Sequence, residues 1–168
     1  MDMKAIRLEK VTVNMGAGEA GPKLEKAQKI IQAVTGKKVV VTKTHKRSTF
    51  GVAKGRPIGC KTTLRGERAM EFLMNALEAV EKTLKKSQFD ANGNFSFGVK
   101  EYIHIPGVRY DPDVGIVGMD VAVTLERPGY RIKKRRIRPS PVGRKHRIDP
   151  EEAMKWAIKE LGVKIIEE

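Results

Sequence analysis

Two segments of the chain combine many cationic side chains with a complete lack of acids. Residues 37–66 contain nine Lys or Arg, residues 127–147 contain ten, and neither segment has an Asp or Glu. Cationic side chains bind the phosphates of nucleic acids, and Gly51, Gly55 and Gly59 would let the backbone of the first segment approach them closely. The chemistry that these residue types predict is therefore the binding of a polyanion.

The charge of the rest of the chain makes this pattern more informative. The whole protein carries a formal net charge of +14, yet the residues outside the two segments include 15 Lys or Arg against 20 Asp or Glu. The protein is thus a mildly acidic body with two cationic segments. This distribution favours a nucleic acid as the binding partner over a membrane surface or an acidic protein. The alternative is that each cationic run is a solvated surface without a partner.

A glycine pattern near the N-terminus allows two interpretations. Gly16-x-Gly18-x-x-Gly21 lies between a predicted strand and a predicted helix, as in dinucleotide-binding folds. Those folds need a parallel βαβ unit and usually an acid after the second strand, where this chain has Val41-Thr42-Lys43. The alternative is a tight turn before a bare helix N-terminus, whose amides would still suit a phosphate of RNA.

The sequence offers no pattern typical of catalysis or metal binding. His45, His104 and His146 are far apart, and Cys60 is the single cysteine, so we predict no catalytic residue, no metal site and no cofactor. A single cysteine also excludes an internal disulfide and fits a reducing compartment. No apolar run approaches the roughly 20 residues of a spanning helix and no signal peptide is present, so we expect a cytoplasmic protein.

Hydrophobic periodicity predicts the elements that position these segments. The predicted strands are 6–15, 39–41, 58–64, 95–99 (extended by 102–105) and 117–125. The predicted helices run from Pro22 to Gly36, from Glu67 to about Lys86 and from Pro150 to Leu161. A bulge near Glu9-Lys10 would reconcile the two apolar faces of the first strand.

These elements predict one α+β domain over residues 1–168, with a mainly antiparallel sheet of about five strands and helices packed on one face. A long basic hairpin loop spans 43–57, and a basic tail at 127–147 is expected to be irregular. The C-terminal helix, 150–161, follows an N-cap at Asp149.

The second face of the predicted sheet would remain open. Lys61, Thr63 and Arg65 share one parity on the strand that follows the basic loop. An open sheet face with such groups is a known way to hold RNA.

Four stretches of the chain resemble a known family. They are VTVNMGAGEA, TGKKVVVTKTHKRSTFGVAKGRPIGCKTTLRGERAMEFL, FDANGNFSFGVKEYIHIPGVRYDPDVGIVGMDVAVTLERPGYR and KHRIDPEEAMKW. They cover nearly the whole chain in order and resemble the large-subunit ribosomal protein L-five family, which binds 5S rRNA. The short N-terminus, the RPGYR segment, the basic tail and the KHRI-x-x-EEAM helix resemble its archaeal and eukaryotic branch. An archaeal source is therefore expected.

The resemblance implies a structural role in the large ribosomal subunit, where the family helps hold 5S rRNA in the central protuberance. In the family, 5S rRNA lies against the sheet side, and the resemblance implies that the matching positions here are Asn14, Lys37 (where many relatives carry glutamine), Thr63 and Arg65. Together with the glycine turn and the strand parity, the expected 5S rRNA-binding residues are Asn14, Gly16, Gly18, Lys37, Lys61, Thr63 and Arg65.

The resemblance also implies further partners. The basic loop would reach toward the elbow of the P-site tRNA, and the family bridges to a protein in the head of the small subunit. The expected tRNA-contacting residues are Lys43, His45, Lys46, Arg47, Phe50, Lys54 and Arg56. The tail is expected to thread along large-subunit rRNA and to become ordered on assembly, through Arg131, Lys133, Lys134, Arg135, Arg136, Arg138, Arg144 and Lys145.

Two rival classes stand beside this interpretation. A general cationic packing protein would bind DNA as well as RNA and would not prefer a structured RNA. An enzyme that uses the glycine turn would show saturable nucleotide binding. We expect neighbouring large-subunit proteins as partners, no membrane and no homo-oligomer.

Overall fold

The computed structural model describes residues 2–18, 20–47, 51–108, 110, 112, 115 and 117–167. Their strands are β1 (Arg7–Gly16), β2 (Val40–Lys43), β3 (Pro57–Leu64), β4 (Thr83–Lys85), β5 (Phe95–Val99), β6 (Met119–Glu126) and β7 (Lys164–Ile166). Their helices are α1 (Pro22–Thr35), α2 (Glu67–Glu78), α3 (Arg131–Lys134) and α4 (Pro150–Leu161). Single 3₁₀ turns lie at Lys86–Gln88, Tyr102–His104 and Arg144–His146.

Five strands form one antiparallel sheet in the order β2-β3-β1-β6-β5. The first strand of the chain is therefore the central one, with β3 on one side and β6 on the other. This sheet with its helices confirms the predicted α+β fold. In the described part of the chain, no helix is both long and apolar enough to cross a membrane.

Alternation along the strands divides the sheet into a core face and an open face. Val11, Val13 and Met15 of β1 are buried, whereas Thr12 and Asn14 between them are half-buried or exposed. The buried sides of α1, α2 and α4 join the core face in one apolar cluster. Helices thus cover the core side, and residues such as Asn14, Lys61 and Asp120 are exposed on the other side of the sheet.

The ends of α1 and α4 follow the local signals in the sequence. Gly36 and Gly162 end the two helices in left-handed conformations, with φ of 61° and 63°. At the start of α4, Asp149 and Glu152 form the reciprocal capping box that the sequence predicts, and Pro150 takes the first helical position.

The predicted bulge in β1 is confirmed. Leu8 pairs with Leu125 and Lys10 pairs with Thr124, so Glu9 is an extra residue with no partner in the register. The bulge lets Leu8 and Val11 both contribute to the core although their parities differ.

Two predicted elements are wrong. Helix α2 ends at Glu78, eight residues earlier than predicted, because Glu81 and Lys82 adopt positive φ and the chain then forms β4. β4 pairs in parallel with β7, and neither strand was predicted. Residues 102–105 do not extend β5, because a 3₁₀ turn replaces the strand at Tyr102–His104.

The basic tail is more ordered than predicted. It contains α3 and a 3₁₀ turn, and both of its ends are attached to the body. Buried Arg127 pairs with Glu152 of α4 at 2.5 Å, and the Tyr130 hydroxyl accepts a hydrogen bond from the amide of Ile148 at 3.0 Å. The expectation of an irregular tail is therefore wrong at its ends and also at 139–142, where Ser140 donates and Val142 accepts a hydrogen bond within the tail. Ordering on assembly stays a prediction for residues 135–138.

Gly93 lies where the turn before β5 meets α4. It has a φ of 76°, and a Cβ atom there would lie 2.5 Å from Cγ2 of buried Ile148. We expect Gly93→Ala to lower the free energy of unfolding by about 2–4 kcal/mol, since backbone strain adds to overpacking. Gly107→Ala is the control, because Gly107 has a φ of 84° with open space around it. Equal losses in urea denaturation would show that the contact with Ile148 is unimportant.

Candidate nucleic-acid interface

One row of residues crosses all five strands on the open face of the sheet. It runs from Val40 on β2 through Lys61, Asn14 and Asp120 to Gly98 on β5. Lys61 and Asn14 are direct cross-strand neighbours, and both are exposed. The row therefore offers an ammonium donor, an amide and a carboxylate acceptor in sequence across the sheet.

The next row is made of small polar and methyl side chains. Thr63, Thr12, Ala122 and Ser96 follow one another across four strands. None of these side chains extends far from the sheet, so a sugar–phosphate backbone has room to lie close to it. Their hydroxyls can donate to and accept from ribose 2′-hydroxyls, which is how open sheets and shallow grooves contact RNA.

A network of ion pairs borders this face at the bulge. The carboxylate of Glu9 lies 2.5 Å from Nζ of Lys134 and 3.2 Å from Nη1 of Arg65. Lys134 also reaches Glu126 at 3.5 Å, and Glu126 pairs with Arg7 at 2.7 Å. We call these five residues the Glu9 cluster; it joins the end of β3, the bulge, α3 and β6.

The Glu9 carboxylate is only 8% exposed, and its pKa reflects its neighbours. Burial is the largest single influence and would raise the pKa. Hydrogen bonds from Lys134 and Arg65, together with the positive charges of Lys134 and Lys10, outweigh it, so the pKa lies below its ordinary value of 4.5. A lowered pKa in the folded state means that the carboxylate stabilises the fold above about pH 4.5. This stabilisation is lost as the pH falls through the lowered value.

Glu9→Gln is therefore expected to have a pH-dependent cost. At pH 7 it should lower the free energy of unfolding by about 1–2 kcal/mol, because Arg65 loses its ion pair with Glu9 and Lys134 keeps only its longer contact with Glu126. The difference from the wild type should shrink toward zero as the pH falls below 4.5, measured by thermal unfolding across the pH range. Glu71→Gln removes an exposed carboxylate of α2 and should cost less than about 0.5 kcal/mol at pH 7. A constant difference for Glu9→Gln at every pH would contradict the expected linkage.

The glycine turn is partly occupied by the protein itself. The amides of Ala17 and Gly18 both donate to the carbonyl oxygen of Ile58, at 2.9 and 3.0 Å. These two amides are therefore not available to a phosphate. β1, which precedes the turn, pairs antiparallel with both neighbours, so the parallel unit that dinucleotide binding needs is not formed by this strand.

The basic loop extends from the β2–β3 stem. Thr44 continues the stem, since its amide donates to the carbonyl of Arg56 and its hydroxyl donates to the carbonyl of Ala53. Beyond it, Lys46, Arg47 and Lys54 are exposed cations, and the imidazole of His45 is exposed beside them. Phe50, one of the predicted tRNA-contacting residues, lies outside the described residues.

Comparison with known families covers both halves of the chain. Residues 2–52 match the family described as Ribosomal protein L5, and residues 57–156 match the C-terminus of the ribosomal L5 family. The chain belongs to the ribosomal protein L5 family. The predicted resemblance is confirmed, and because this is a family of structural proteins, the enzyme alternative is set aside.

Archaeal relatives match nearly the full chain. The Large ribosomal subunit protein uL5 of Sulfolobus acidocaldarius is 51% identical over 166 residues, which are 98% of this chain and 93% of the relative. The protein of the same name from Nanoarchaeum equitans is also 51% identical and covers 98% of both chains. That of Methanosphaera stadtmanae is 46% identical over 94% of this chain and 95% of its own.

The structure brings some of the predicted 5S rRNA-binding residues together and separates others. Asn14, Gly16, Lys61 and Thr63 lie on adjacent strands of the open face. Arg65 lies beyond the end of β3 and forms an ion pair with Glu9. The remaining two, Gly18 and Lys37, lie in loops outside the sheet, and all of these residues stay predictions as RNA contacts.

The predicted tail residues also divide into two kinds. Lys134 is held by Glu9 and Glu126, which makes it an anchor of the tail. The others are exposed at the surface, namely Arg131, Lys133, Arg135, Arg136, Arg138, Arg144 and Lys145.

Sequence reasoning missed two residues that organise the interface. The sequence pattern assigns Glu9 only to the bulge and Arg127 only to the cationic segment 127–147, whereas Glu9 pairs with Lys134 and Arg127 is buried. The bulge itself was a usable signal for Glu9, because an extra residue on the open face is free to pair with cations from other elements.

Proposed function

We propose that this protein is a structural constituent of the large ribosomal subunit that binds 5S rRNA on the open face of its sheet. The observation that supports this most is the uncovered row of Asn14 and Lys61 beside the row of small hydroxyl side chains. Family membership supplies the biological setting.

The charges on the open face favour one orientation of the RNA relative to the strands. Lys61 lies on β3 of this face, whereas Asp120 lies on β6. Phosphates should therefore follow β3, where they meet a cation, and avoid β6. A carboxylate over β6 accepts hydrogen bonds from base amino or imino groups, so the bases or ribose hydroxyls should face that strand.

The rival class, a general cationic packing protein, differs in its contacts. Such a protein would depend on the free cations of the tail and loop and would not need Asn14 or Thr63, whose side chains carry no charge. The two classes therefore predict different responses to salt, because only the cationic contribution is screened by counterions.

The deciding experiment is binding of the protein to 5S rRNA across a salt series, with duplex DNA and an unrelated structured RNA as competitors. Each neutralised phosphate contributes roughly 0.7–0.9 to the slope of log affinity against log salt. Binding of 5S rRNA that persists at high salt while the competitors lose affinity would support the proposal. Parallel loss for all three would favour the general packing protein.

The same proposal includes contact between the basic loop and the P-site tRNA, and contact with neighbouring ribosomal proteins and a head protein of the small subunit. The loop is attached through Thr44 to a paired stem, and its described cations Lys46, Arg47 and Lys54 are exposed. A surface loop on a rigid stem suits a partner that binds and leaves.

Replacing Lys46, Arg47 and Lys54 together with Gln keeps the hydrogen bonds of Thr44 and removes three charges. We expect reconstituted ribosomes with this variant to release P-site tRNA about tenfold faster, because each lost phosphate contact weakens affinity modestly and three are removed. The affinity for 5S rRNA should change by less than about threefold. The control replaces Lys23, Lys26 and Lys29 of α1, which are also exposed. Loss of 5S rRNA binding in the loop variant would show that the two surfaces are one.

A further inference from the structure

A cleft lies where the open face of the sheet meets the folded basic tail. It encloses about 500 Å³, within the range of roughly 300–1,000 Å³ that small-molecule sites occupy. Its floor includes Thr124 and Leu125 of β6, so it continues directly from the open face. One wall is the turn before β5, with Asn92 and Asn94, and the other is the tail segment 139–142.

Both walls are held in position by hydrogen bonds. On the turn side, the carboxylate of Asp90 accepts bonds from the amides of Asn92 and Asn94, and the Asn94 side chain accepts one from the amide of Leu125 at 3.2 Å. On the tail side, the Ser140 amide donates to the carbonyl of Ile132 at 3.1 Å, and Nε of Arg147 donates to that of Val142 at 3.3 Å. The cleft is therefore preformed, which lowers the entropic cost of binding.

The cleft combines apolar surfaces with polar groups that have no partner. Tyr130, Pro139, Pro141 and Val142 provide flat or apolar surface. In the part of the chain that the structure describes, four lining side chains make no hydrogen bond or ion pair: those of Asn92, Thr124, Lys133 and Ser140. An amide that both donates and accepts, next to a free ammonium and apolar walls, has the chemistry to hold a base and a phosphate together.

The one carboxylate at the cleft does not oppose an anion. Glu9 lines it, but its charge is matched by Lys134 at 2.5 Å and Arg65 at 3.2 Å. Two further cations, Lys133 and Arg147, line the same space. The cleft therefore carries a net positive charge although it lies beside an acid.

We propose that this cleft takes one unpaired nucleotide of the RNA that covers the open face. Its base would lie against Tyr130 and the tail segment 139–142, with Asn92 at its edge. Its phosphate would face Lys133 and Arg147. The inference rests on the proposed RNA-binding function and deepens it, because it assigns single-nucleotide recognition to a site beside the flat sheet.

Continuity with the open face favours a nucleotide over an acidic peptide. Thr124 belongs to the open face of β6 and also lines the cleft, so an RNA that lies across β3, β1 and β6 would have a continuous surface along which one nucleotide could turn out of the stack into the cleft. Bases that leave a stack are the ones that proteins recognise on RNA, through stacking and edge contacts. An acidic side chain would satisfy Lys133 but leave Asn92 and the apolar walls unused.

The direct test is titration of the isotope-labelled full chain with the four nucleoside 5′-monophosphates, followed by nuclear magnetic resonance. We expect saturable shifts of the Asn92 side-chain amide and the Val142 backbone amide, with at least one nucleotide binding more than tenfold tighter than inorganic phosphate. Equal shifts with inorganic phosphate would reduce the cleft to a simple anion site and overturn the proposal. Equal or stronger shifts with a tetra-glutamate peptide would overturn it in favour of a protein partner.

A pair of variants tests the cleft in the RNA complex. Ser140→Trp fills the space without changing charge, and Ser87→Trp adds the same side chain at an exposed 3₁₀ turn. We expect the first to weaken 5S rRNA binding about tenfold, the scale of one lost base stack, and the second to leave it unchanged. Asn92→Ala, which preserves the Asp90 turn because only the Asn92 backbone takes part, should weaken binding about threefold or more.

These outcomes separate the inference from the function on which it rests. If both cleft variants, folded by circular dichroism, bind 5S rRNA like the wild type while Lys61→Glu does not, the cleft proposal fails and the sheet-face proposal stands. If Lys61→Glu also binds normally, the sheet-face proposal fails with it.

Discussion

Reversing the charge of Lys61 is expected to lower the affinity for 5S rRNA about 30-fold or more, which corresponds to about 2 kcal/mol. Lys61 lies near the middle of the open face, between Val40 and Asn14. A glutamate there would join Asp120 in the same row and present two carboxylates to the RNA. The loss of affinity combines a missing phosphate contact with charge repulsion, so it should exceed the loss caused by Lys61→Ala. For Lys61→Ala, the slope of log affinity against log salt should fall by about one unit.

Lys155→Glu is the matched control for this prediction. Lys155 is exposed on α4, and its reversal changes the net charge by the same amount. We expect it to lower affinity less than about threefold, since exposed charges more than a Debye length of roughly 10 Å away are screened. Equal losses in both variants would mean that net charge, and not the open face, controls binding.

Glu152→Ala is expected to be the most destabilising of the polar substitutions. Arg127 is 5% exposed, and the two terminal nitrogens of its guanidinium are bonded to Glu152 at 2.5 Å and to the carbonyl of Arg147 at 3.2 Å. Its Nε has no partner among the described residues. Removal of Glu152 would leave a buried cation with a single hydrogen bond, at a cost of about 3 kcal/mol, or roughly 6–12 °C in Tm.

The capping box adds to this effect, because the Asp149 amide also donates to Glu152, at 3.4 Å. Glu151→Ala is the control: it lies in the same first turn, is exposed, and forms neither contact in the described part of the chain. We expect it to cost less than about 0.5 kcal/mol. Similar melting temperatures for the two variants would show that water replaces Glu152 around Arg127.

The elements that the sequence predicted well are those with local causes. The capping box at Asp149, the αL glycines at 36 and 162 and the alternation of β5 all depend on residues within a few positions of each other. The position at which α2 ends depends instead on a distant element, because the chain after the helix forms β4 and pairs with β7. Leu84 continues the apolar stripe of the helix by spacing, but it is buried because β4 pairs with β7, about 80 residues later. Periodicity alone cannot distinguish these two ways of burying one leucine.

The candidate site shows the same division. The shared parity of Lys61 and Thr63 was readable from the strand pattern, and so was the open face. The pairing of Arg65 and Lys134 with Glu9 could not be predicted from the strand pattern, because these three residues are far apart in the sequence and meet only through tertiary structure. The cleft was equally hidden, since its walls come from a turn and a tail that the sequence gives no reason to bring together.

The central position of β1 has a consequence for how the chain folds. β1 lies in the region matched as Ribosomal protein L5, but both of its neighbours, β3 and β6, lie in the region matched as the family C-terminus. The two family regions are therefore not two folding units. During synthesis, β1 remains without its second neighbour until residues 119–126 emerge, so the sheet closes late and with high contact order. Until then the nascent chain exposes the edge of the strand that carries Asn14, and this edge needs protection from aggregation.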